Sequence, residues 1–233
     1  MKMKKLVTVL GLAMGLLPLA HAGSVTVTAD AGTTYSTDAM TGFTTFGDDM
    51  DGTLVTVTFA NGSTGSASFA DTGSGSGAAA AGSWSLAVSG DTFSSSPGAW
   101  TLINSSTDPD LKITKIVIDG KPGKTSFDRT DPSTGTDGSA RGLDFTFDTA
   151  AFDYDITATY RDLLALTGFA PVGDEYTTLE LAFKDAFAGR LVFAADADNA
   201  TTEIIKVPEP VSLALLGLGL AGIGLTRRRS RAA

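Results

Sequence analysis

Two short acidic runs hold the densest chemistry in this 233-residue chain: Asp48-Asp49-Met50-Asp51-Gly52 and Asp196-Ala197-Asp198-Asn199. Each brings several side-chain oxygens together within a few residues. Hard cations take such oxygens, and extracellular modules hold calcium with dissociation constants of about 10⁻⁴–10⁻³ M. Asp48, Asp49, Asp51, Asp196, Asp198 and Asn199 are therefore the candidate calcium ligands. Neither run has the twelve-residue EF-hand spacing. Asp and Asn also populate turns because their side chains bond the local backbone, and this is the simpler account of each run. The baseline expectation is no bound metal and no cofactor, with calcium as the one alternative.

Other constellations carry less. Asp119 to Thr125 (DGKPGKT) ends like a phosphate-binding loop, but Ile118 stands where the first glycine belongs and Pro122 removes a backbone donor. A glycine-proline hairpin turn accounts for the segment. Paired carboxylates are the machinery of glycosidases. In a chain with 26 Asp and Glu, however, some pair always falls close. Trp84, Trp100, Tyr35, Tyr154, Tyr160 and Tyr176 have the surfaces for sugar stacking, although core packing is the commoner fate of such rings.

Composition removes whole classes of catalyst. The chain has no cysteine, and its single histidine, His21, lies in a segment marked for removal. Without imidazole or thiol there is no Ser-His-Asp or Cys-His nucleophile, no His/Cys zinc site and no disulfide. No enzyme activity is expected. Between Gly23 and Val207 ten Lys and Arg face 25 Asp and Glu, a formal charge of −15. Such a surface repels nucleic acid, which is excluded as a partner, and can attract cations.

The two ends are addresses. Residues 1–22 place Lys2, Lys4 and Lys5 before an apolar core, Leu6 to Leu19, and close on Ala20-His21-Ala22. That is a secretory signal peptide, with Ala20 and Ala22 forming the signal peptidase site and Gly23 beginning the mature chain. At the other end, Pro208-Glu209-Pro210 precedes the uncharged Val211–Leu225, followed by Arg227, Arg228, Arg229 and Arg231. A helix over 211–225 would be about 22 Å long at roughly 1.5 Å per residue, short of the roughly 30 Å hydrocarbon layer. The arginines hold its end on the cytoplasmic side. Gly217, Gly219 and Gly222 spell G-x-G-x-x-G, but inside an apolar helix they serve close helix approach and not a dinucleotide.

Residues 207–231 resemble the PEP-CTERM sorting signal of Gram-negative bacteria: Pro-Glu-Pro, short apolar helix, arginine cluster. The resemblance implies export, handling by the membrane protease-transpeptidase exosortase, and transient inner-membrane anchoring through 211–225. Two cargo stretches also resemble a recurring cargo type of that family. One runs from Ile116 through Phe127-Asp128 to Gly135-Thr136-Asp137-Gly138-Ser139-Ala140, the other from Ala170-Pro171-Val172-Gly173-Asp174 to Asp196-Ala197-Asp198-Asn199. They imply a secreted β-rich domain.

The cargo, residues 23–206, must be built from strands. Ser24–Ala29 and Leu54–Ala60 alternate Val with Thr, and Asn61-Gly62 turns the second toward Ser66–Phe69 as a hairpin. Further strands are expected at Trp84–Val88, Ala99–Ile103, Ile113–Asp119, Leu143–Phe147, Asp155–Tyr160, Thr177–Phe183 and Leu191–Ala194. Leu179, Leu181 and Phe183 should share one face. Arg161–Thr167 has room for one or two helical turns, and Thr72–Ser83 (TGSGSGAAAAGS) reads as a flexible loop. Many short strands without alternating helices predict a mainly β fold, an antiparallel β-sandwich, of which a jelly roll is one subtype. The functional expectation is an exported, exosortase-sorted cell-surface or exopolysaccharide-matrix protein with a non-catalytic sandwich. The alternative is a carbohydrate-binding module or a carboxylate glycoside hydrolase.

Overall fold

Alternation of β-branched and aromatic residues with Thr, Ser and Gly sets the architecture. The computed structural model describes residues 22–30, 40–42, 44–94, 98–129, 142–165 and 175–200. The signal peptide, the sorting tail, Tyr35 and the GTDGSA segment lie outside the described residues. In chain order the strands are β1 (Ser24–Ala29), β2 (Met40–Gly42), β3 (Leu54–Phe59), β4 (Thr64–Ser68) and β5 (Ala70–Asp71). Next come β6 (Ser76–Ala81), β7 (Trp84–Ser89), β8 (Trp100–Asn104), β9 (Ile113–Asp119) and β10 (Thr125–Asp128). The last are β11 (Thr146–Phe147), β12 (Asp155–Leu163), β13 (Glu175–Phe187), β14 (Gly189–Ala194) and β15 (Asp196–Ala200).

They form two sheets. A 9-stranded sheet runs β2-β15-β10-β13-β9-β3-β4, with β12 and then β1 added along β13; a 6-stranded sheet runs β11-β14-β8-β7-β6-β5. One apolar core lies between them. Val55, Val57, Ile116, Ile118, Leu179 and Leu181 face it from the larger sheet, and Leu86, Val88, Trp100, Leu102, Leu191 and Phe193 from the smaller. Leu179, Leu181 and Phe183 are all buried, as their spacing requires. The fold is thus mainly β, two sheets packed as a sandwich.

Trp100 pins the sheets together. Its indole stacks on Phe193 (centroids 5.5 Å apart), meets Phe69 edge-on at 6.1 Å and touches Phe127 of the larger sheet at 6.3 Å. Its Nε1–H donates to the Ala195 carbonyl at 2.8 Å. Ala195 is where the chain leaves the smaller sheet at β14 and enters the larger one at β15.

Four departures from expectation have local reasons. Residues 76–81 form β6 in register with β7, with Gly77 buried where a Cβ would meet the Gly47 carbonyl and Ala79 buried opposite Leu86. Asp196–Asn199 lies in strand β15 and not in a loop. The chain from Arg161 continues as β12 to Leu163, paired with β13, where a helical turn had room. Finally, β1 pairs parallel with β12 from Ser24↔Asp155 to Ala29↔Tyr160, so the sheet is not wholly antiparallel. No short turn joins those two strands, so their relative direction is unconstrained by turn geometry.

The hairpin at Asn61-Gly62 forms as expected, with β3 and β4 in antiparallel register and Gly62 at φ +81°. The Gly-Pro turn does not make a hairpin. Asp119 at the end of β9 lies opposite Thr178, and Phe127 in β10 lies opposite Tyr176, so β9 and β10 follow one another along the same edge of β13. Residues 120–126 leave the edge of β13, and the last two of them, Thr125 and Ser126, already pair with β15. The excursion is closed by Gly120 N–H on the Thr177 carbonyl (2.8 Å) and Thr125 N–H on the Gly120 carbonyl (2.9 Å). This excursion sets the register in which β10 returns.

Candidate metal centre

Strand β10 lies between β13 and β15, and its register brings acids together. Asp128 is opposite Glu175 on one side and Asp196 on the other; Ser126 is opposite Asp198. Residues two apart on a strand share a face, so Ser126, Asp128, Asp196 and Asp198 project to one side. Phe127 projects to the other and packs against Trp100. Among the described residues, Asp128, Glu175 and Asp198 are the one set of three acidic side chains whose oxygens converge, all within 4.8 Å of one another. Asp128 and Glu175 are 0 % exposed and Asp198 is 1 % exposed.

Such a set cannot be fully ionised without compensation. Two carboxylates this close repel by about 3–4 kcal/mol at an effective dielectric near 20, and burial adds several kcal/mol for each charge. Burial raises the Glu175 carboxyl well above its ordinary range, reinforced by Asp198 and Asp128. Every charged group that shifts Glu175, among the described residues, is another carboxylate. The Ser126 hydroxyl lies near enough to favour its charged form a little. Yet no donor reaches either Glu175 oxygen in hydrogen-bonding geometry, and the buried Ser126 hydroxyl itself makes no hydrogen bond.

The neighbouring cation is committed elsewhere. Arg129 forms a two-point ion pair with Asp144, Nε to Oδ1 at 2.9 Å and a terminal nitrogen to Oδ2 at 3.0 Å. Its guanidinium also lies 5.4 Å from the centre of the Tyr160 ring. Asp196 is held differently from the three. Its Oδ1 accepts from Thr92 Oγ1 at 3.1 Å and from the Ala197 N–H at 2.9 Å. Burial, then the charge of Asp198, pushes its carboxyl up to about 8, against the lowering effect of those two hydrogen bonds.

The candidate ligands of the sequence divide accordingly. Asp198 belongs to the convergent set and Asp196 adjoins it, whereas Asn199 is opposite Thr125 and so alternates onto the other face of β15. Asp48 and Asp49 lie in a 3₁₀ turn, Gly47–Met50, and serve the backbone. Asp48 Oδ2 accepts from Gly75 N–H at 2.9 Å, and Asp49 Oδ2 from Phe46 N–H at 3.0 Å. Asp51 follows at the end of that turn. Asp128 and Glu175 were not among the expected ligands. The readable signal was spacing: Ser126-x-Asp128 and Asp196-x-Asp198 each put two polar groups on one face of a strand. Glu175, lying 47 residues from one partner and 23 from the other, gives no local sign.

Of the described candidates for sugar stacking only Tyr154 is partly exposed, and its hydroxyl donates to the Ala188 carbonyl at 3.0 Å. Trp84, Trp100, Tyr160 and Tyr176 are all buried, and the Tyr160 hydroxyl accepts the Phe145 N–H at 2.7 Å. The acid cluster is likewise sealed from solvent.

One prediction follows from these carboxyls. A group whose folded-state pKa lies above its unfolded value stabilises the fold below the unfolded pKa, and that contribution is lost as pH rises through the folded one. For Asp196 the window is from about 4 to about 8, and Glu175 acts in the same sense. In chelator, the protein should therefore lose stability as pH rises across this range, by on the order of a few kcal/mol. Thermal melts in EDTA check it. Asp196→Asn should flatten the slope, and a midpoint that climbs toward pH 8 would contradict the assignment.

The described residues thus define a two-sheet β domain with a buried acidic centre, and the chain continues beyond it into the Pro-Glu-Pro tail. Residues 206–229 match the PEP-CTERM protein-sorting motif. The chain is an exported protein of the exosortase-sorted kind, destined for the cell envelope or surface. Neither a curated protein nor a solved structure matches it. No helix among the described residues is long and apolar enough to cross a membrane; 211–225 lies outside them.

Proposed function

We propose that this is a non-catalytic protein of the cell surface or exopolysaccharide matrix, whose sandwich is cargo delivered by the two terminal signals. The observation that carries the reading is the sorting motif at 206–229, immediately beyond a β domain whose last described strand ends at Ala200. Signal peptidase acts at Ala20-His21-Ala22, and exosortase then handles Pro208-Glu209-Pro210. In between, 211–225 holds the chain transiently in the inner membrane, because an apolar segment this short is a poor permanent anchor. The formal charge of −15 over Gly23–Val207 supports a soluble, hydrated role among polysaccharide and cations. The absence of His and Cys from the mature chain supports a role without histidine- or cysteine-based catalysis.

Location and intact mass of the protein in its own host test this. The surface form should begin at Gly23 and lack the apolar tail. Replacing Pro208-Glu209-Pro210 or Arg227-Arg228-Arg229 by alanines should leave tail-bearing protein in the inner-membrane fraction. A surface form that keeps 211–225 would mean permanent anchoring. Turnover of any polysaccharide by the purified chain would replace the non-catalytic reading with a carboxylate hydrolase, and tight glycan-array binding without turnover would make it a carbohydrate-binding module.

A further inference from the structure

We propose that Asp128, Glu175 and Asp198 form a buried calcium site, with the Ser126 hydroxyl at its edge. Two independent observations converge on a cation. The first is geometric: three carboxylates from three adjacent strands present oxygens all within 4.8 Å of one another. Two oxygens bound to one calcium at roughly 2.3–2.6 Å can be at most about 5 Å apart, so this span fits a single ion. Magnesium demands near-ideal octahedral geometry at roughly 2.0–2.1 Å and resists losing its water. The second is that two buried polar side chains of this cluster lack the partners burial demands. Neither oxygen of Glu175 is reached by a donor, and the Ser126 Oγ makes no hydrogen bond. Buried polar groups are nearly always satisfied, and such exceptions call for an explanation.

The donor set selects the metal class. It is all oxygen, from a mature chain without histidine or cysteine, which suits hard cations and not zinc or copper. Three carboxylates and a hydroxyl can supply up to seven oxygens, within the six to eight that calcium takes. The rival occupant is the proton: Glu175 and Asp198 sharing hydrogens as neutral acids. A cation and a proton make opposite demands on these side chains, so they can be told apart. A calcium site would also join β10, β13 and β15 across the register that the 120–126 excursion creates, in the milieu an exported protein meets.

The test uses the whole protein, exported and processed by its expressing host and stripped with EDTA. Millimolar calcium chloride should raise its melting temperature by about 5–10 °C over EDTA, and magnesium chloride by much less. Equilibrium dialysis should find one calcium per chain. Glu175→Gln and Asp198→Asn should each weaken binding at least about 100-fold and abolish the shift. In EDTA both should melt at or above the parent, because a neutral amide removes a repelling charge. Asp48→Asn and Asp49→Asn should keep the full shift. Ser126→Ala, which removes only a hydroxyl, should weaken binding about tenfold and serves if an acid variant does not fold. An unbound, unshifted parent protein would overturn the site in favour of shared protons. So would a shift that survives Glu175→Gln and Ser126→Ala, or one that vanishes in Asp48→Asn.

Discussion

Replacing Trp100 by alanine should cost about 3–5 kcal/mol, a large share of the roughly 5–15 kcal/mol that holds a typical domain together. Three losses combine. The indole, 0 % exposed, fills the space between the sheets and leaves a cavity when removed. Its stacked contact with Phe193 and its tilted contact with Phe127 are the aromatic bridge from one sheet to the other. Its Nε1–H satisfies the Ala195 carbonyl, which would otherwise stay buried and unpaired at the point where the chain changes sheets. Denaturant titration should show the midpoint falling with little change in slope. Trp100→Phe separates the contributions: it keeps much of the ring packing but not the hydrogen bond, and should lose only about 1–3 kcal/mol. Equal losses in the two variants would mean that the hydrogen bond, and not ring volume, dominates.

Gly98→Ala should be almost as damaging, although it adds a single methyl. Gly98 sits at φ +98°, where an L side chain is strained, and its missing Cβ would land on the Phe193 carbonyl. The strained backbone costs about 1–3 kcal/mol and forced overpacking about as much again. The obstacle is the main chain of β14, paired on both sides by β11 and β8, so it cannot swing aside as a flexible side chain would. Relief must come from shifting β14, and with it Phe193 against Trp100. Thermal melts and near-ultraviolet circular dichroism should show both the lowered midpoint and a disturbed tryptophan environment. An unperturbed spectrum with a native midpoint would show that the segment before β8 moves freely.

These two sites illustrate what a linear reading reaches. Trp100 was recognisable as a buried strand residue, yet its role at the sheet crossover depends on Ala195 and Phe193, more than ninety residues away in sequence. Gly98 had no local signature, because the carbonyl that forbids a side chain belongs to another strand. The Thr72–Ser83 segment misled for a related reason. Gly and Ala are flexible alone, but Gly77 lies where a Cβ would meet the Gly47 carbonyl, and Ala79 is buried in strand register opposite Leu86.

The sorting tail and the fold class were legible from local chemistry. A Pro-Glu-Pro tail with its arginines and period-two alternation between turn residues each act over a few neighbours, where spacing alone carries the physics. The acid runs were legible as oxygen donors, and Asp198 was among the residues named. Which acids meet was decided only in three dimensions. The 120–126 excursion returns β10 to the edge of β13 at Phe127↔Tyr176, placing Asp128 between Glu175 and Asp196. Strand alternation then divides Asp198 from Asn199, turning one toward the cluster and the other away. A shift of one residue in that register would put Phe127 among the carboxylates and Asp128 against Trp100, so pairing between distant strands, which no local pattern encodes, decides whether this chain has a centre at all.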